Sequence, residues 1–426
     1  MCPLALPAYP RVGSDDAPVQ EGKGRSNVRR AVGLKLIAGL AAAGLALAAC
    51  SSPSGSSASS AAASVGSAAQ SAAQSVGSAA QSAASSLTSR AGEAASSVQS
   101  RASAAVASIT GDPSSVKLGL AYDVGGRGDQ SFNDLAAASL DKAKAEGVTV
   151  VGELTAGQGE PDSAKTDRLN QLVDSGATDI IAVGFAYATA LKEVAAANPN
   201  VHFAIVDDAS LKDVTNVASL TFAEEQGSYL VGVAAAKKST TGKVGFIGGV
   251  NTPLIQKFQA GFEAGVKATN PSATVTSKYI TEPPDFSGFN APDKGETIAT
   301  GMYNDGIDVI YAAAGGSGAG VFKAAKTTGN WAIGVDSDQY NVPSLADVKD
   351  VIITSMLKKV DVATWDFIAS AANGAPIAGQ HVYSLENDGV GYSTSGGLIT
   401  EYVPDIEKAE AGILDGSITV PSTVGG

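Results

Sequence analysis

The sequence predicts an α/β fold with two doubly wound, parallel-sheet lobes. From residue 116 onward, short β-branched runs alternate with helical segments such as "SAKTDRLNQLVDSG", and apolar runs joined by crossover helices are typical of parallel sheets covered on both faces. Two series of strands fit the 426-residue length better than one very large sheet. The candidates are 116–123, 148–154, 179–185 and 202–208, then 243–249, 274–280, 308–314, 332–338 and 351–357.

The break between the two series sets the expected domain boundaries. We expect lobe 1 at residues 116–222, lobe 2 at 242–354, and a C-terminal segment at 355–426 that returns across both lobes. In open parallel sheets, ligands bind beyond the carboxyl ends of the strands. Two such edges that face each other would form a cleft between the lobes.

Polar residues follow most of these strands. A single aspartate at a strand end often only caps the next helix, and for any one of them that alternative is as good as ligand binding. Several carboxylates in one crevice repel each other unless a ligand donates hydrogen bonds or a cation lies nearby. The acidic strand-end candidates and the available cation are Asp123, Asp129, Asp207, Asp336 and Lys358.

Two phenylalanines lie in glycine-rich, polar loops. Phe132 follows "GGRGDQS" and Phe289 lies in "DFSGFNAPDKG". A core role stays open for both, but stacking on the flat face of a ligand is the more natural use of an aromatic ring in such a loop.

Motifs for catalysis or for a cofactor are weak. The glycine-rich stretches 125–128 and 315–320 lack the Gly-Lys-Ser/Thr ending of a phosphate-binding loop, and neither has the glycine spacing of a dinucleotide-binding loop followed by an acidic residue at the end of the next strand. The sequence has two histidines, His202 and His381, so a metal centre or a Ser-His-Asp triad would have to be built almost without histidine. We therefore expect no metal, no cofactor and no enzyme, although an enzyme that uses an aspartate as base stays open.

The first residues predict export and lipidation. A basic segment from Arg25 is followed by fourteen uncharged residues, Leu36 to Ala49, and then by Cys50; this is typical of a signal peptide, and the run is shorter than the about 20 residues of a membrane span. The tetrad that ends at Cys50, "LAAC", resembles a bacterial lipobox, with an ordinary secretory signal as the alternative. Residues 1–49 are thus the expected leader, and 1–24, which fit neither signal nor fold, are interpreted as lying upstream of the true start.

Residues 50–115 are expected to form a tether. They are rich in serine and alanine, and the stretch 64–74, "SVGSAAQSAAQ", recurs almost unchanged at 75–85. Such side chains bury too little apolar surface to offset the cost of ordering the chain.

The charge of the chain limits its partners. The whole chain has a net charge of −13, and removal of the leader, with six Lys/Arg and three Asp/Glu, leaves −16. A chain this acidic, without a basic stripe, is not expected to bind nucleic acid. Its ligand is expected to be neutral or cationic.

Several motifs are similar to those of the basic membrane protein family of lipoproteins. They are "DVGGRGDQSFN", "NVASLTFAEEQGSYLVG", "GKVGFIGGVNTPLIQKFQAGFEAG" and "AIGVDSDQY" with "ITSMLKKVD", and the likeness runs from about Val116 to beyond Asp361. The resemblance implies a type I periplasmic-binding-protein-like fold, with two lobes joined by hinge strands. It also implies a substrate-binding protein, held by lipid on the outer face of the cell membrane, that passes a nucleoside, expected to be a purine nucleoside, to an ABC importer permease.

The resemblance further implies how the base would be held. Asp123, Asp129 and Asp207 would surround the base edge, while Phe132 and Phe289 would sandwich the base. Asp129 stands where an asparagine can occur in the family, so the accepted base edges stay open.

The same resemblance implies a ribose site. Gly315, Asp336 and Lys358 would hold the ribose, and Asn133, the last residue of the first motif, joins the ligand-binding set. A sugar or an autoinducer-type ligand on the same fold remains the alternative, because such ligands also stack on aromatic rings but do not need carboxylates at a base edge.

Overall fold

The structure is a computed structural model that describes residues 107–425, and within this range it has two six-stranded sheets. The first sheet contains β1 (Lys117–Tyr122), β2 (Thr149–Thr155), β3 (Asp179–Ala182), β4 (His202–Val206), β5 (Val217–Phe222) and β11 (Gly379–Tyr383). Its strand order is β11-β5-β4-β3-β1-β2, with parallel neighbours throughout. We call this sheet and the helices that pack on it lobe 1.

The second sheet repeats this arrangement and forms lobe 2. It contains β6 (Lys243–Val250), β7 (Thr274–Thr281), β8 (Val309–Ala313), β9 (Trp331–Asp336), β10 (Ile352–Lys358) and β12 (Val390–Tyr392). The order is β12-β10-β9-β8-β6-β7, and β12 runs antiparallel to β10. The two orders correspond strand for strand, so the predicted α/β fold with two doubly wound lobes is confirmed.

Helices cover both sheets, and two of them pack on the lobe opposite to the strand that they follow. The helices are α1 (Phe132–Ala145), α2 (Asp162–Asp174), α3 (Ala188–Ala197), α4 (Glu224–Lys238), α5 (Pro253–Thr269), α6 (Pro292–Asn304), α7 (Gly318–Thr328), α8 (Val360–Ala372) and α9 (Val403–Leu414). Helix α4 leaves lobe 1 after β5 and packs on lobe 2, whereas α8 leaves lobe 2 after β10 and packs on lobe 1. The chain crosses once more between β11 and β12. Each lobe is therefore completed by chain that arrives from the other.

The structure corrects some details of the predicted organisation. Each predicted strand is present, but β5, β11 and β12 were not predicted as strands. Serine and threonine interrupt the apolar residues of β5, β11 begins with Gly-Gln-His, and β12 has three residues. The second sheet extends through β10 to Lys358, past the boundary expected at residue 354. Helix α4 occupies the gap left between the two predicted lobes.

Glycines allow the helices α4 and α5 to touch backbone to backbone. A Cβ on Gly261 would lie 2.1 Å from the carbonyl oxygen of Glu225, and one on Gly265 would lie 2.1 Å from that of Tyr229. Any larger residue at these positions would push the helices apart. This close approach brings the start of α4 next to Lys257 on α5, which matters for the site below.

The end of the expected tether is attached to lobe 1. The Asn373 side chain, just after α8, accepts hydrogen bonds from the backbone amides of Thr110 and Gly111 at 2.7 and 2.8 Å and donates to the carbonyl of Ser108 at 2.9 Å. The indole of Trp365 donates to the carbonyl of Ala107. Residues 107–115, which the sequence assigned to the tether, thus pack on the fold, and the predicted leader, Cys50 and the rest of the tether lie outside the described residues. Within residues 107–425, no helix has the length and apolar character needed to cross a membrane.

Candidate ligand-binding cleft

A cavity lies between the lobes, at the carboxyl ends of both sheets. It brings together every ligand-binding residue that the sequence predicted: Asp123, Asp129, Phe132, Asn133, Asp207, Phe289, Gly315, Asp336 and Lys358. It also contains residues that the sequence did not assign to the site: Val124, Gly184, Phe185, Leu254, Ile255, Phe258, Ala313 and Val335. Most of the added residues are apolar, and in a sequence they cannot be told from core residues of strands and helices.

Two aspartates occupy corresponding positions in the two lobes. Asp207 follows β4 and Asp336 ends β9, and their backbones have φ angles of 70° and 64°. A left-handed backbone is uncommon for a residue other than glycine and is often found at binding sites. In both lobes the chain therefore turns sharply where the strand ends, and the carboxylate lines the cavity.

The ammonium of Lys358 is the cation of the cavity wall. Its Nζ lies 2.7 Å from Oδ2 of Asp207 and 3.3 Å from Oε1 of Glu224, and the lysine side chain is 2% exposed. Burial opposes the charge, but the carboxylates of Asp207, Glu224 and Asp336 outweigh it and raise the pKa of Lys358 above its ordinary value. The lysine is therefore cationic at physiological pH.

Aromatic rings surround the same ammonium. Its Nζ lies 5.2, 5.0 and 5.4 Å from the ring centroids of Phe132, Phe222 and Phe258, respectively. These distances are typical of cation–π contacts, which favour a buried positive charge. Phe132 thus contacts the Lys358 ammonium with its ring and also lines the cavity.

Glu224 and Lys257 extend this charge cluster and were missed by the sequence reasoning. Glu224, the first residue of α4, is 1% exposed, and its Oε2 lies 2.6 Å from Nζ of Lys257. Lys257 also donates to the carbonyl of Phe222 at 2.7 Å. An acidic residue in the first turn of a helix usually only stabilises the helix dipole, so the pattern "AEEQ" carries no signal for a buried counter-ion.

Asp129 uses its carboxylate to hold the loop before α1. Its Oδ1 accepts from the amides of Ser131 and Asp134 at 3.0 and 3.1 Å, and its Oδ2 accepts from the backbone and side-chain nitrogens of Asn133 at 2.8 and 3.0 Å. A carboxylate has about four acceptor positions, and these bonds use them. The capping alternative considered for a strand-end aspartate therefore describes Asp129, although Asp129 lines the cavity.

The side chain of Asn133 connects Asp129 to Asp123 through hydrogen bonds. The Oδ1 of Asn133 accepts from the backbone amide of Asp123 at 3.0 Å, and Oδ1 of Asp123 accepts from the amide of Val124 at 2.7 Å. A Cβ on Gly184 would lie 2.6 Å from the other oxygen, Oδ2 of Asp123. The glycine after β3 is required because this carboxylate occupies the space next to it.

Burial changes the ionisation of the cavity carboxyls. It raises the pKa of Asp123 to about 6 and that of Asp336 to about 7, although Lys358 and the Ser131 hydroxyl favour the ionised form of Asp336. It also raises the pKa of Asp207, against the attraction of Lys358. One oxygen of Asp207, Oδ1, is buried and has no hydrogen-bond partner among the described residues. The cavity therefore offers acceptors and would gain from a ligand that brings N–H or O–H donors.

Glycines also seat Phe289. A Cβ on Gly249 would lie 2.5 Å from the Phe289 ring, and one on Gly288 would lie 2.0 Å from the carbonyl oxygen of Gly249. The short helix that contains Phe289 can therefore rest directly on the end of β6. Phe185 of lobe 1, which also lines the cavity, meets the ring of Phe286 in lobe 2 edge to face, with centroids 5.7 Å apart.

The histidines take no part in the cavity. His202 faces Asp179 with Nδ1 3.2 Å from Oδ1, and His381 lies 3.2 Å from the carbonyl of Ala378. Within the described part of the chain, no group of three or more His, Cys, Asp or Glu side chains is placed to hold a metal ion.

Comparison with known proteins assigns the family. A sequence profile of the family described as "ABC transporter substrate-binding protein PnrA-like" matches residues 116–424. The chain belongs to this family. This substrate-binding protein is 35% identical over 323 residues to the ABC transporter nucleoside-binding protein BmpA of Lactococcus lactis subsp. cremoris. The alignment covers 72% of this chain and 90% of that protein.

Other relatives agree with this assignment. The substrate-binding protein is 39% identical over 322 residues to a Listeria monocytogenes protein named CD4+ T-cell-stimulating antigen, covering 71% of this chain and 87% of the relative. It is 33% identical to basic membrane protein A of Borreliella burgdorferi, covering 69% of this chain and 84% of that relative. Among solved structures, an ABC transporter solute-binding protein from Aeropyrum pernix K1 matches with a TM-score of 0.63 and 27% identity, covering 72% of this chain and 94% of the other.

Proposed function

We propose that this substrate-binding protein captures a purine nucleoside outside the cytoplasm and delivers it to the permease of an ABC importer. The observation that carries the proposal is the polarity of the cavity: carboxylates from both lobes and a single lysine line it, together with phenylalanine rings. Such a wall suits an uncharged ligand with a flat face and several N–H and O–H donors, and it would repel a phosphate. The nucleoside-binding name of the Lactococcus relative supports the same ligand class.

In this proposal the base lies between the phenylalanines. Phe132 and Phe289 cover its faces, and the carboxylates of Asp123 and Asp207 accept from its edge. Asp207 has an oxygen without a partner among the described residues, which a base N–H would satisfy. Asp129 keeps its place in the site by fixing the loop that carries Phe132.

The ribose is assigned to the other half of the cavity. Asp336 accepts from the two hydroxyls of the cis-diol, while Lys358 donates to a ribose oxygen and favours the ionised form of Asp336. Gly315 has a φ angle of 54°, and its missing side chain lets the backbone approach the sugar. A ligand without a diol would lose these contacts.

Calorimetry with the full chain tests the proposal. We expect guanosine, inosine or adenosine to bind, 2′-deoxynucleosides to bind more weakly, and nucleoside monophosphates to bind weakest. Native mass spectrometry of the purified protein should show a copurified mass that matches a nucleoside. Binding of free ribose or another simple sugar as tightly as any nucleoside would reject the proposal in favour of a sugar-binding protein.

We also propose that the protein is anchored to the outer face of the cell membrane by lipid on Cys50. The support is the "LAAC" tetrad and the serine- and alanine-rich stretch that follows it. Metabolic labelling with a fatty-acid analogue should mark the wild type, and Cys50→Ala should lose both the label and membrane association. Equal membrane association of the two proteins without label in either would exclude the anchor.

A further inference from the structure

The loop before α1 reaches across the cleft from lobe 1 to lobe 2. The carbonyl oxygen of Gln130 accepts from the hydroxyl of Ser337 at 3.0 Å and from Nε2 of Gln339 at 3.1 Å. The hydroxyl of Ser131 donates to Oδ2 of Asp336. Neighbouring residues of lobe 1 are thus bonded to the end of β9 and to the turn that follows it.

These contacts are made by buried and well-supported groups. Ser131 is 0% exposed and Gln339 is 2% exposed. The Gln339 side chain is held at both ends, because its Oε1 accepts from the amide of Val335 at 2.9 Å while its Nε2 reaches Gln130. Gln130 has a φ angle of 63°, a costly conformation for glutamine, and its carbonyl oxygen bonds to two residues of lobe 2.

The contacts across the cleft link closure of the two lobes to the orientation of the Asp336 carboxylate. The partners belong to different sheets, and the described chain connects these sheets covalently through the crossover segments alone, so these bonds form when the lobes are together. The Ser131 bond occupies Oδ2 of Asp336 and fixes the rotation of the carboxylate about its side-chain axis. The other oxygen, Oδ1, has two lone pairs and is then assigned to the two ribose hydroxyls.

We propose that Ser131 is a positioning residue that couples closure of the lobes to the orientation of the Asp336 carboxylate. The proposal rests on the proposed function, in which Asp336 accepts from the ribose hydroxyls. Diol recognition then requires closure, because only the closed arrangement supplies the serine hydroxyl. Ser337 and Gln339 support closure through Gln130 without touching Asp336.

The charges around Asp336 predict a second consequence. Lys358 and the Ser131 hydroxyl favour its ionised form, whereas burial and the carboxylates of Asp129 and Asp207 oppose it. The phenol of Tyr311 also lies close enough to Asp336 for their charges to interact. Loss of the serine hydroxyl removes one of the groups that favour ionisation, so ligand binding should need a higher pH.

Calorimetry on the full chain across pH 5.5 to 8.5, with inosine and 2′-deoxyinosine, separates these effects. We expect Ser131→Ala to weaken inosine about tenfold, to weaken 2′-deoxyinosine less, and to move the pH midpoint upward. Ser131→Thr, which keeps a hydroxyl, should restore much of the loss. Ser337→Ala should lower the affinity for both ligands by the same factor and leave the pH midpoint of binding unchanged.

Ser219→Ala is the matched control. Ser219 is 0% exposed in β5, and its hydroxyl has no hydrogen-bond partner among the described residues, so this variant should bind as the wild type does. If Ser131→Ala weakens both ligands equally and leaves the pH profile unchanged, the positioning role is wrong.

A second measurement tests the role of Ser131 even if the protein does not bind a nucleoside. If the wild type binds neither compound, the proposed function fails, and closure is then measured without a ligand. Spin labels are placed at Glu193→Cys in lobe 1 and Thr327→Cys in lobe 2, both exposed, and the distance between them is measured. The labelled chain also carries Cys2→Ser and Cys50→Ser, so that no other cysteine reacts. A longer or broader distance distribution in Ser131→Ala than in the same labelled chain with Ser131 supports the coupling, and an unchanged distribution overturns it.

Discussion

Lys358 of lobe 2 and Asp207 of lobe 1 form a buried ion pair across the cleft, with Nζ 2.7 Å from Oδ2 and side-chain exposures of 2% and 5%. The pair joins the end of β10 to the turn after β4, at the place where the two sheets face each other. Glu224 lies 3.3 Å from the same ammonium. The same lysine therefore pairs with carboxylates at the junction of the two lobes and lines the cavity.

Replacement of this lysine should destabilise the protein. Lys358→Met leaves the buried carboxylates of Asp207 and Glu224 without a shared cation, and breaking a buried pair in this way costs about 3–5 kcal/mol. Lys359→Met is the matched control, because Lys359 pairs with Asp388 at side-chain exposures of 28% and 43% and such pairs contribute about 1 kcal/mol or less. Urea unfolding of the full chain measures both, and equal losses would contradict the account of the ion pair.

The pH dependence of stability should identify Asp336. Its pKa is raised from an ordinary 3.8 to about 7 in the folded protein, so its contribution is fully present below pH 3.8 and is lost as the pH rises through about 7. Each pH unit in this window costs up to about 1.4 kcal/mol. Asp336→Asn should flatten this part of the curve of unfolding free energy against pH, and an unchanged slope would mean that Asp336 is ionised throughout.

Loss of the Phe132 ring should weaken every nucleoside by a similar factor. Stacking on an aromatic side chain contributes about 1–3 kcal/mol per base and is tolerant of base identity. Phe132→Leu keeps an apolar side chain but removes the flat face, whereas Phe132→Tyr keeps the ring and should bind nearly as the wild type does. Calorimetry with guanosine, inosine and adenosine checks this, and a loss confined to one base would contradict stacking.

Asp123 and Asp129 should respond differently to alanine. Asp129→Ala leaves the amides of Ser131, Asn133 and Asp134 without their acceptor, so it should lower stability by about 1–3 kcal/mol and weaken all nucleosides together. Asp123→Ala should instead change the ranking among bases, because this carboxylate is assigned to the base edge. Unfolding and calorimetry on both variants distinguish the two roles; a change in ranking with Asp129→Ala would return Asp129 to the base edge.

Asn373 should control the attachment of the chain that precedes lobe 1. Asn373→Ala removes the acceptor for Thr110 and Gly111 and the donor for Ser108, so hydrogen exchange of residues 108–111 should become faster while β1 stays protected. Asn373→Asp keeps the acceptor and should have a smaller effect. Unchanged exchange in both variants would show that these bonds do not hold the segment.

The sequence by itself determined the α/β class, the two strand series and the strand ends that carry Asp123, Asp207, Asp336 and Lys358. These features follow from local patterns, because side-chain periodicity and apolar runs report how a segment is buried, and parallel strands place their carboxyl ends at one edge. The motifs around Phe132 and Phe289 were also visible without a structure.

Only the tertiary structure decided which of these residues meet and what else joins them. Lys358 and Asp207 are 151 positions apart, and no local pattern encodes their distance. Glu224 and Lys257 read as ordinary helix residues until the glycine contacts between α4 and α5 bring them together. Asp129 illustrates the converse, since its sequence position suits a ligand but its oxygens are taken by the loop. The physical reason is that a side chain's role depends on which partners use its hydrogen bonds and charge, and those partners come from distant segments that only folding brings together.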